Sequence, residues 1–241
     1  MESRNNASLG YKAGLMHGLA IGMGYLSVSF TFGVIAISMG LNWWQAFLIS
    51  LTNLTSAGQV AGVSIMTAGG SLAEMVISQL VINVRYSLMS VSLSQKADSS
   101  MNKLVRAFLA FGITDEIFGV AVSRDSFGRR YMLGLMTLPV IGWTLGTLGG
   151  ALLGSILPKI LIDSLSIGIY GMFIAIVIPV TLKSKRIALI CLIAIAISCA
   201  FTYIKALSAI SGGFAIIISA VIAAAVGAFI LPLEKEEASD A

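Results

Sequence analysis

The sequence reads as an all-α, polytopic integral membrane protein. Of its 241 residues 57% are hydrophobic and 11% charged, against roughly 45–50% and about 25% in soluble domains. No Asp, Glu, Lys or Arg occurs between Ala13 and Ala73, where a soluble fold would need polar faces. The apolar segments lack the period-two alternation of lipid-facing strands, so each reads as a helix.

Crossing a bilayer core of about 30 Å takes roughly 20 helical residues. Charges and turn residues cut the chain into apolar segments at roughly 15–40, 43–67, 75–95, 104–123, 131–158, 164–182, 187–204 and 206–233. That is about seven or eight transmembrane helices, joined by short loops into one transmembrane domain over residues 1–241. The first segment follows Lys12 without a cleavage context and is a retained span, not a signal peptide. The second contains Asn53-Leu54-Thr55-Ser56-Ala57-Gly58-Gln59, which suits a helix break with Gly58 as the unwinding point. The third holds Arg85 midway, and the fourth carries Thr114-Asp115-Glu116 near its middle. One or both of the second and fourth segments are therefore read as broken or re-entrant. The seventh carries Cys191 and Cys199, about 12 Å apart along one helix and unable to bridge each other.

Counting Lys and Arg per side leaves two topologies open. Eight full spans put nine on the side of both termini and five opposite, whereas a fourth segment that leaves by its own side moves the N-terminus outside and gives ten inside against four. Gly22 to Gly33 faintly resembles Gly142 to Gly150, which suggests a weak internal repeat over about 12–95 and 131–230. Small-residue patterns also recur wherever membrane helices pack closely.

An ionisable group inside a bilayer costs about 2.5–3.5 kcal/mol on insertion, so Arg85, Asp115 and Glu116 each need a reason. Arg85 cannot easily reach an interface, and its available partners are Asp115, Glu116 or Glu74. Adjacent helical residues diverge by about 100°, so one of Asp115 and Glu116 pairs with Arg85 while the other faces a cavity. A carboxylate in a low-dielectric cavity protonates more readily and serves proton coupling, or it holds a substrate ammonium. The competing account is a static interhelical brace. Gln79, Asn83, Tyr86 and Ser90 form one polar stripe beside Arg85, lining a pathway or a hydrogen-bonded seam. Ser56, Gly58 and Gln59 at the expected break would present backbone N–H groups to a carboxylate, or simply allow tight packing.

Nothing calls for a cofactor or a metal. His17 is the single histidine, and the methionines lack paired Met and Cys ligands. The basic balance of +4 matches lipid headgroups, not nucleic acid, because no basic run is interleaved with aromatics.

Gly24-Tyr25 through Phe32-Gly33-Val34, then Ala57-Gly58-Gln59, Asn83-Val84-Arg85-Tyr86 and Thr114-Asp115-Glu116, resemble the AzlC family of branched-chain amino acid exporters. The order holds over roughly residues 10 to 155 and continues through Gly142-Trp143, Gly146, Gly149-Gly150 and Gly154. Three positions depart from the family pattern, Ser27 and Ser29 after the Gly-Tyr pair and Ser166 opening the sixth span. The resemblance implies export of branched-chain or related apolar amino acids across a bacterial plasma membrane, with a small AzlD-type membrane subunit as partner. The expected substrate and coupling residues are then Arg85, Asp115, Glu116, Asn83, Gln59, Gly58, Ser56 and Thr114. A membrane assembly subunit without a transport cycle is the alternative. An intramembrane enzyme is a weaker one, since no His cluster, Cys nucleophile or Asp-rich motif is present.

Overall fold

A computed structural model of the chain describes residues 10–154, 156–158, 160, 171, 174, 177–179, 181–182, 184–204, 207 and 210–230. The sixth expected segment, with Ser166, lies largely outside them. The described residues form helices and no strand: α1 Tyr11–Ser38, α2 Trp43–Thr52, α3 Ala57–Thr67, α4 Leu72–Lys96, α5 Lys103–Ala110, α6 Asp115–Val122, α7 Arg129–Leu153, α8 Lys185–Tyr203 and α9 Gly212–Ile230. Five of them, α1, α4, α7, α8 and α9, are long and apolar enough to cross a membrane. The second and fourth expected spans are instead pairs of half-length helices.

The chain forms two compact units, residues 1–63 with 83–169, and residues 64–82 with 170–241. The first unit is built on α1 and α7. A Cβ on Gly14 would overlap the Tyr131 carbonyl, on Gly22 that of Leu138, on Gly33 that of Thr147 and on Gly150 that of Phe30. Residue numbers rise together on both helices, so α1 and α7 run parallel, with backbones brought close by glycine on each side. The glycine runs that resemble one another in sequence are thus the two halves of one contact.

The N-termini of α1 and α7 define the lower end of this unit. There Ala97 bridges Phe127, and the Lys96 Nζ donates to the Val122 carbonyl at 2.6 Å, so α4 and α6 both finish low. α5 starts low, where the Arg129 N–H donates to Ser100 Oγ at 3.0 Å; Asn102 caps it through Val105 N–H at 2.9 Å. Its eight residues rise only about 12 Å. After a break at Phe111–Thr114, α6 returns to the lower end. The fourth segment therefore enters and leaves by one end.

α1 stops at the upper end in a glycine-terminated turn: Gly40 has φ +95°, and the Leu41 N–H reaches the Ala36 carbonyl at 3.0 Å. α2 then descends along α7, with Ser50 Oγ 2.7 Å from Thr147 Oγ1. It ends at mid-depth, where Leu54 packs with Tyr25 and Trp143. Because α1 leaves the lower end and α4 returns to it, α2 and α3 together make no net crossing.

In the second unit α8 packs against α9, with Ile190 filling the space beside Gly227. Glu74 is buried, 3% exposed. It accepts from Ser211 Oγ and from the Gly213 N–H at 3.0 Å, at the start of α9.

Candidate functional site

Two helix breaks meet at mid-depth in the first unit. At the upper one, Asn53 Oδ1 accepts from the Thr55 N–H at 3.1 Å and Gln59 Oε1 from the Ser56 N–H at 3.3 Å. These side chains satisfy N–H groups that the interrupted helix leaves open. Ser56 sits at φ +50°, a left-handed conformation rare for a residue with a Cβ. The break therefore falls at Asn53–Ser56, not at Gly58. Gly58 is helical, and its N–H donates to the Thr55 carbonyl at 3.2 Å.

At the lower break, Thr114 caps α6 through Oγ1, which accepts from the Ile117 N–H at 3.4 Å. That cap leaves Asp115 and Glu116 in the first turn, where the helix dipole favours carboxylates. The two diverge as their helical spacing requires. Asp115 Oδ2 lies 2.8 Å from Arg85 Nη1, so the partner of Arg85 is Asp115 and not Glu74. Glu116 accepts from the Tyr25 hydroxyl, which also lies 2.6 Å from Thr114 Oγ1; its contact is a tyrosine instead of the open cavity expected. The Arg85 guanidinium stands 5.0 Å over the Tyr86 ring, with Nη2 donating to the Tyr86 hydroxyl at 3.2 Å. The ion pair keeps 40% and 24% side-chain exposure, so both groups remain accessible.

Behind this charged layer lies a fully buried network. Tyr25 packs edge-on to Trp143 at 5.1 Å. Trp143 Nε1 donates to Gln59 Oε1 at 2.9 Å, and Gln59 Nε2 donates to Ser50 Oγ at 2.9 Å. Gln59, at 1% exposure, is thus engaged by protein groups at both ends of its amide and fixes the upper break against α7. Asn83 is half-buried on α4, two residues before Arg85.

Between the breaks is a cavity of about 190 Å³ lined by Thr52, Asn53, Leu54, Thr55, Tyr86, Ala110, Phe111 and Ile113. The Thr55 and Ser56 hydroxyls are buried and, among the described residues, without a hydrogen-bond partner. Of the residues singled out in the sequence, the structure places Arg85 against Asp115, and Thr114 and Glu116 against Tyr25. Sequence reasoning passed over Tyr25, Trp143 and Ser50 as site residues. Tyr25 stood only in a family motif, and an aromatic in an apolar helix looks like core.

The sequence pattern of the AzlC protein family matches residues 20–157, a stretch that includes both breaks and every residue of this cluster. An uncharacterized membrane protein of Archaeoglobus fulgidus is 31% identical over 179 residues, 73% of this chain and 78% of that protein. The inner membrane protein YgaZ of Escherichia coli is 27% identical over 60% of this chain and 61% of its own length. An uncharacterized membrane protein of Helicobacter pylori is likewise 27% identical, over 60% and 64%. No solved structure matches. With apolar helices long enough to span and relatives that are membrane proteins, this chain is a membrane protein and belongs to the AzlC family.

Proposed function

We propose that the chain is a secondary transporter that exports branched-chain or related apolar amino acids across a bacterial plasma membrane, proton-coupled and working with a small AzlD-type subunit. Substrate class and partner come from the family resemblance. The observation that carries the transport reading is the accessible Arg85–Asp115 pair, with Glu116 on Tyr25, at mid-depth between two helix breaks. Transporters place substrate sites at such interruptions, where half-helix ends and unwound backbone replace water. A cavity of about 190 Å³ is below the roughly 300–1,000 Å³ of drug-sized pockets and suits one small zwitterion.

In this reading Arg85 and the hydroxyls of Thr55 and Ser56 receive the carboxylate. Asp115 receives the ammonium, and Glu116 with Tyr25 carries the coupling proton. Leu54, Phe111 and Ile113 take the apolar side chain. Counterflow of labelled leucine into vesicles containing both subunits tests the reading. Asp115→Asn, Glu116→Gln and Arg85→Gln should each lower exchange by about tenfold or more, the scale of one lost charge-assisted contact. Wild-type exchange in all three would make the ion pair a brace and sink the reading.

A further inference from the structure

A second, smaller cavity of about 80 Å³ lies below the first, lined among others by Ser90, Leu93, Ser94, Met101, Arg106 and Phe127. Ala110 and Ile113 line both cavities, so the two adjoin through the top of α5. On α4, Tyr86 lines the upper cavity while Ser90 and Ser94 line the lower one. Spaced by four, these three form one stripe down a single helix face. Two members of the polar stripe noted in the sequence, Tyr86 and Ser90, thus face the upper and the lower chamber in turn. At the bottom, Arg106 closes the lower chamber, its Nε donating to the Met101 carbonyl at 2.8 Å and Nη1 to the Ser94 carbonyl at 3.3 Å.

We propose that this lower chamber is the cytoplasmic vestibule of the transport route, a transit site for an apolar amino acid between α4 and α5, with Ala110 and Ile113 as the constriction. The proposal rests on the transport reading above. Its chemistry suits the substrate class: the walls are apolar, α4 supplies hydroxyls, and a guanidinium stands where a carboxylate would arrive. The constriction is carried by the end of α5, a helix of eight residues followed by the Phe111–Thr114 break.

The test uses a Cys191→Ser/Cys199→Ser background in vesicles with labelled leucine. Ala110→Trp should cut exchange by about tenfold or more. Ser90→Cys should be blocked by an impermeant thiol reagent applied to the lower face, and leucine should slow that reaction. If Ala110→Trp unfolds the protein, the Ser90→Cys protection decides. Background-rate exchange in Ala110→Trp, or Ser90→Cys labelling indifferent to leucine, overturns the route while leaving an Asp115→Asn defect intact. A background protein that exchanges no apolar amino acid overturns the transport reading itself, and the route with it.

Discussion

Arg85 and Asp115 hold each other in a place where neither charge is cheap alone. Removing one partner of a fully buried pair costs roughly 3–5 kcal/mol, because the other is left uncompensated. Here the side chains keep 40% and 24% exposure, so Arg85→Gln or Asp115→Asn should each cost less, about 1–2 kcal/mol. The double variant should regain most of that stability without regaining exchange. Thermal unfolding in detergent beside counterflow separates the two, since a pure brace would recover in both. Gln59→Leu attacks a different layer: it strands Trp143 Nε1 in a buried site and leaves Ser50 Oγ to Thr147 alone, and should cost about 1–3 kcal/mol. The charged trio was readable in the sequence because charge is scarce there. Gln59 was readable as important but not as structural, since its partners, Ser50 and Trp143, lie 9 and 84 residues away.

Between the helices, small residues decide what can approach what. Gly142 and Gly150 would each drive a new Cβ into a backbone carbonyl of α1, whereas Gly24 on the same helix pair has nothing within 4 Å. Gly142→Ala and Gly150→Ala should therefore destabilise by about 1–3 kcal/mol. Gly24→Ala should be neutral or stabilise by up to about 1 kcal/mol through helix propensity. Equal effects at all three would remove the close-packed α1–α7 interface from the account. At the upper break, Ser56→Gly relieves a left-handed serine and should raise stability by about 0.5–1 kcal/mol. If the Ser56 hydroxyl meets substrate, apparent leucine affinity falls in the same variant. The sequence marked this break one turn late because Gly58 is the natural unwinding residue. What stops the helix is a set of polar side chains, Asn53 and Gln59, that satisfy backbone groups the ladder gives up. Thr114-Asp115-Glu116 marked a possible break between α5 and α6, but their combined length could still span a bilayer. Contacts such as those of Lys96 with Val122, Ala97 with Phe127 and Arg124 with His17 show both ends on one side.

Re-entry also changes the charge count that orients the protein. With both the second and fourth segments across the membrane the margin is nine to five, and with only the second across it is ten to four, so either count spreads basic residues over both faces. In the first unit, eight lysines and arginines are described; seven sit at the lower end, Lys12, Lys96, Lys103, Arg106, Arg124, Arg129 and Arg130, and Arg85 lies at mid-depth. Among the described residues, the upper end of that unit carries none. The positive-inside rule predicts that the lower end faces the cytoplasm. In a Cys191→Ser/Cys199→Ser background, an impermeant maleimide added to intact cells should label Ser38→Cys, at the top of α1. It should reach Ser99→Cys, between α4 and α5, only after the cells are opened. The reverse pattern would place the lower chamber outside and turn a loading vestibule into a release site. Labelling of both in intact cells would mean that α5 and α6 do not return to the face they left. The orientation thus fixes which chamber meets cytosolic substrate first, and it does so through where the charges are, independent of any assay of transport.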